Sequence, residues 1–71
     1  MRTEYEVQIY GLETTTFTSK AKAIESARKT LERTQAPRAI VRIKTLDGAG
    51  PWVYSCKNVA GRLFGSHYWI G

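Results

Sequence analysis

In a chain of 71 residues, chemistry has to come from very few groups. There is one cysteine, Cys56, and one histidine, His67, so a thiol activated by an imidazole could be assembled only from these two. Cys56 falls inside the strand-like run "WVYSCK", where a small thiol packs as an apolar group and has no cation, metal or helix start beside it. His67 stands in an aromatic run and reads as a strand residue, not as a proton shuttle. One Cys, one His and six scattered acids do not make the three or four clustered ligands of a zinc site, and a lone cysteine closes no internal disulfide. The glycines of "GAG" at 48–50 precede a strand, whereas a phosphate-cradling loop opens a helix. These counts predict a protein that is no enzyme and holds no metal or cofactor.

Surfaces carry more information than single groups. Residues 1–32 balance five bases (Arg2, Lys20, Lys22, Arg28, Lys29) against five acids (Glu4, Glu6, Glu13, Glu25, Glu32). Residues 33–71 carry Arg33, Arg38, Arg42, Lys44, Lys57 and Arg62 against Asp47 alone, so the whole +5 excess lies in the second half. That asymmetry points to an acidic partner, nucleic acid or an acidic protein surface. Two cationic groups stand out. Lys22, Lys29 and Arg33 recur at helical spacing, and Arg42 and Lys44 alternate on a strand beside Ile40, with Tyr10 as the aromatic neighbour.

The elements that would position these groups follow from periodicity. "TEYEVQIY" alternates, with Tyr5, Val7 and Ile9 on one side and Glu4, Glu6, Gln8 and Tyr10 on the other. Gly11 breaks the strand, and Glu13 to Phe17 returns as a short second strand unless it is only a loop. Thr18 or Ser19 caps a helix from Lys20 to about Gln35, with Ile24, Ala27 and Leu31 as its apolar stripe, Ala21 and Ala23 on the flanks, and Pro37 as its stop.

"RAIVRIKTL" alternates again, with Ala39, Val41 and Ile43 inward and Ile40, Arg42 and Lys44 outward. "DGAGP" is a turn, and "WVYSCK" runs back with a core set of either Trp52, Tyr54 and Cys56 or Val53 and Ser55, of which volume favours the first. "NVAG" turns once more into "RLFGSHYWI", a last strand interrupted or bulged at Gly65. In that strand His67 and Trp69 face one way and Tyr68 and Ile70 the other, so one set completes the core and the other joins a contact surface. The expected fold is one α+β domain over residues 1–71, a four- or five-stranded antiparallel sheet with a single helix packed on one face, in the order β-β-α-β-β-β. One helix covers one face, so the other is left to water or to a partner. No apolar run approaches the roughly 20 residues that span a bilayer, and the start "MRTEYEVQIYG" has no signal-like apolar region, so a cytoplasmic protein is expected.

The segments "SKAKAIESARKTLE", "AIVRIKTLDG" and "WVYSCKNVAGR", within a span of about 45 residues, resemble in layout the small type I-F anti-CRISPR proteins of phages: a cationic helix, a strand ending in a turn, and an aromatic-led return strand. The resemblance implies a five-stranded antiparallel sheet with one helix. It also implies a non-enzymatic inhibitor that binds an RNA-guided Cas complex and obstructs its target DNA. The alternative is a phage or mobile-element regulator that binds nucleic acid directly. For either partner the expected contact residues are Lys22, Lys29, Arg33, Arg42, Lys44, Tyr10 and Trp69.

Overall fold

Helix α1 (Lys20–Thr34) begins at Ser19, which has extended dihedrals and whose hydroxyl accepts from the Lys22 amide at 3.3 Å. That bond satisfies one of the amides a first turn leaves unpaired. The helix ends where Gln35 turns into the left-handed region (φ 58°) and donates its amide to the Leu31 carbonyl at 2.9 Å, two residues before Pro37. The structure is a computed structural model that describes residues 3–68 and, at 48 and 49, the backbone alone.

Around this helix the strands are β1 (Glu4–Ile9), β2 (Thr15–Phe17), β3 (Arg38–Thr45), β4 (Gly48–Val59) and β5 (Arg62–His67). They form one antiparallel sheet in the order β2-β1-β3-β4-β5, so the fold is the α+β arrangement the periodicity predicts. The chain measures 39 × 26 × 18 Å. The short dimension holds one helical layer on one sheet and nothing more.

The core lies between α1 and the sheet. Val7 and Ile9 from β1, Ala39 and Val41 from β3, and Tyr54 and Cys56 from β4 are buried there beneath Ala23, Ala27 and Leu31. The helix therefore turns inward by the i, i+4, i+8 row of Ala23, Ala27 and Leu31, and Ile24, expected in the apolar stripe with Ala27 and Leu31, is only half-buried. Alanines at 23, 27 and 39 carry little side-chain bulk, which allows backbone and sheet to approach closely.

Strand β4 departs from simple alternation. Val41 stands opposite Tyr54 but Arg42 stands opposite Trp52, so Val53 is an extra residue on β4, and a second shift separates Arg42 from Lys44, which faces Ala49. The inserted residue re-aims its neighbours. Val53 is buried, while Trp52, expected in the core, is half-buried beside Arg42.

The predicted bulge at Gly65 is absent. Pairing of β4 with β5 runs unbroken from Tyr54↔His67 to Val59↔Arg62. Gly65 has another use: the Tyr54 ring lies against it, and a methyl group built there would meet the ring, 2.8 Å from Cζ. The phenol, over β5 on the helix side of the sheet, accepts from Nη1 of Arg28 at 3.0 Å. This hydrogen bond, with the phenol's partial charge, holds the Arg28 guanidinium above its ordinary pKa.

Candidate functional site

Because cross-strand partners share a face, the register shows which described side chains of β1, β3, β4 and β5 lie opposite the helix. From β1 come Glu4, Glu6 and Gln8, and from β3 come Arg38, Ile40, Arg42 and Lys44. From β4 come Trp52, Ser55, Lys57 and Val59, and from β5 come Arg62, Phe64 and Ser66. Tyr68 follows β5 and sits against Trp52, ring centroids 5.0 Å apart and tilted by 42°, with its amide donating to the Val53 carbonyl at 3.0 Å.

This face has two chemically different halves. On the β1 side the cations are engaged. Arg42 donates from Nε to Oε1 of Gln8 at 3.1 Å and from Nη1 to the Gly50 carbonyl at 3.2 Å, with Glu6 as its cross-strand neighbour. Lys44 lies 3.8 Å from the Glu4 carboxylate. The Arg42–Lys44 patch expected from alternation is therefore an acid-and-base mosaic tied to the sheet.

On the β4–β5 side the balance reverses. Strands β3, β4 and β5 contain no acid at all. Arg38 stands directly opposite Lys57, Lys57 directly opposite Phe64, and Arg62 is one diagonal step from Lys57. Among the described residues none of these three cations meets a carboxylate at ion-pair distance. Directly opposed like charges destabilise a sheet by a fraction of a kcal/mol to about 1 kcal/mol, so the Arg38–Lys57 pair is held in a cross-strand arrangement an anion would relieve. Phe64 beside it is 55% exposed and Val59 54% exposed, so the cations border exposed apolar surface.

The two-residue turn between Val59 and Arg62 builds this corner. Ala60 (φ 52°) and Gly61 (φ 84°) both take positive φ, the geometry of a type I′ hairpin, which sets Val59 opposite Arg62 and hence Lys57 opposite Phe64. Asn58 braces the turn. Its amide donates to the Pro37 carbonyl at 2.9 Å, its Nδ2 to the Leu31 carbonyl at 3.4 Å, and its Oδ1 accepts from the Gly61 amide at 3.1 Å. Helix end, strand start and hairpin are thereby fixed around Arg38.

The other expected contact residues are placed as follows. Lys22, Lys29 and Arg33 share the outer face of α1 and line a shallow open depression with Glu25, Ser26 and Thr30. Lys29 donates to Oε1 of Glu25 at 2.8 Å, and this hydrogen bond and the paired charge hold the Glu25 carboxyl below and the Lys29 ammonium above their ordinary values. Tyr10 falls beyond the end of β1, in the turn closed by the Leu12 amide on the Ile9 carbonyl, and is 88% exposed away from the strand ladder. Trp69 lies outside the described residues.

Cys56 is buried in the core, and His67 stacks edge-on to Tyr54 at 4.8 Å. Alternation alone missed Arg38, Lys57, Arg62, Phe64, Trp52 and Tyr68 as one surface. The signal that could have found most of it is "VAGR": a two-residue turn there dictates the β4–β5 register. Comparison with family models, with curated proteins and with solved structures gives no match to this chain.

Proposed function

We propose that this protein is a non-enzymatic binding module that docks through the uncovered face of its sheet on a nucleic-acid-bearing partner, in the cytoplasm of the host cell. An RNA-guided Cas complex, whose access to target DNA would be obstructed, is the partner that the anti-CRISPR resemblance implies. The observation that carries the proposal is the Arg38–Lys57–Arg62 group, like charges set side by side on strands that contain no acid. Such an arrangement lowers the stability of the free protein and is relieved when phosphates arrive. No described helix is long and apolar enough to cross a membrane.

Lys57→Glu tests the proposal on two readouts at once. A glutamate opposite Arg38 replaces a repulsive pair by an attractive one, so the variant should melt at the same or a higher temperature, with a gain of roughly 0.2–1 kcal/mol. It should also lose retention of a purified RNA-guided complex on the immobilised protein, and with it any reduction of target-DNA binding. The double variant Lys22→Glu/Lys29→Glu reverses the helix face instead and should retain the partner. Loss of retention in the helix variant with full retention by Lys57→Glu would move the interface to α1 and overturn the proposal.

A further inference from the structure

We infer that the same sheet face takes a single strand of nucleic acid directly, laid across β3–β5 with bases stacked on Phe64 and on the Trp52–Tyr68 pair and phosphates held by Arg38, Lys57 and Arg62. This deepens the docking role above and rests on it. Phe64 and Tyr68 lie four residues apart along one chain direction, about 14 Å at strand rise. Between them the face carries only the row Ile40, Ser55 and Ser66, partners across β3, β4 and β5. Exposed Phe64 at one end and Tyr68 on half-buried Trp52 at the other thus flank a row of two serines and Ile40, and the three cations line the Phe64 end.

The occupant follows from this layout. Aromatic anchors of protein interfaces gather at a packed centre, whereas here they stand apart, with Ile40 and two serines between them. A duplex hides its base faces in the stack and is read by an element that enters a groove. The flat cationic half offers no such element, and the β3–β4 hairpin tip at the opposite end carries Asp47. A single strand exposes both phosphates and base faces, and sheet-borne aromatics of known RNA readers stack two or three bases in this way. Arg42, engaged by Gln8 and Gly50 beside Trp52, would keep the Trp52–Tyr68 pair in place.

The test is fluorescence anisotropy with labelled oligouridine and oligodeoxythymidine of about eight nucleotides, against a duplex of matched charge. The wild-type protein should bind the single strands more tightly than the duplex. Three phosphate contacts predict a log–log salt slope near −2, which Lys57→Gln should reduce by about 0.7. Phe64→Leu keeps an apolar cover on the exposed strand but removes the π face, and should weaken binding roughly fivefold or more with an unchanged melt. Lys22→Glu/Lys29→Glu should leave affinity unchanged. Equal or tighter binding of the duplex, or a Phe64→Leu protein that melts and binds like the parent, would overturn the inference. If the oligonucleotides fail to bind while Lys57→Glu still abolishes retention of the nucleoprotein, this inference falls and the docking role stands. If neither effect is seen, both fall.

Discussion

At the scale of single residues, Tyr54 and Gly65 act as a unit. The buried ring occupies the space a side chain on β5 would fill, and its hydroxyl ends on Arg28. Gly65→Ala must therefore push the ring out of its rotamer and pull the phenol from the guanidinium, an overpacking expected to lower stability by about 1–3 kcal/mol, read as a shifted midpoint in urea. An alanine variant as stable as the parent would show that the ring does not depend on the glycine. A glycine inside a strand marks either a bulge or a close approach. Sequence alternation cannot distinguish them, because the ring that needs the space comes from another strand.

Among the elements, the β4–β5 hairpin contains a local conflict. Ala60 adopts the left-handed region that an L-residue with a Cβ enters only at a cost of about 1–2 kcal/mol, in a turn whose preferred pair is Asn-Gly. Ala60→Asn should stabilise the protein by about 0.5–1 kcal/mol, visible as a Tm increase of several degrees in a domain of this size. An unchanged Tm would mean that the turn is not type I′. Elements whose pattern is purely local were legible: β1 from Val7 and Ile9, β3 from Ala39 and Val41, and α1 from Ser19 to Gln35. What was not legible depended on neighbours. Apolar strength favoured Ile24 over Ala23 for the buried face, yet close approach to β3 selects the alanines, and the extra residue Val53 that turns Trp52 outward exists only as a mismatch with β3.

At the scale of the whole molecule, the candidate surface was half legible for the same reason. Charge asymmetry announced a cationic second half, but which cations remain available is decided by pairing. Glu4, Glu6 and Gln8 come to lie beside Lys44 and Arg42, while Arg38, Lys57 and Arg62 are carried to the side without acids. The strand order has a kinetic consequence as well. Strands β3, β4 and β5 are sequence neighbours joined by tight turns, so their ladders close short loops, whereas Ile9 must find Ala39, thirty positions away, before β1 can join. Folding should thus begin in residues 38–67 and end with docking of the N-terminal hairpin. In chevron measurements Cys56→Ala should slow refolding with a φ-value of about 0.5 or above, and Val7→Ala should mainly hasten unfolding with φ below about 0.3. The reverse ranking would place the nucleus in β1. Since Arg38, Lys57, Arg62 and Phe64 all belong to the early segment, the proposed binding face would be assembled during folding before the barrier is crossed, and a partner able to bind it there would act as a template that accelerates refolding, not merely as a ligand that stabilises the finished protein.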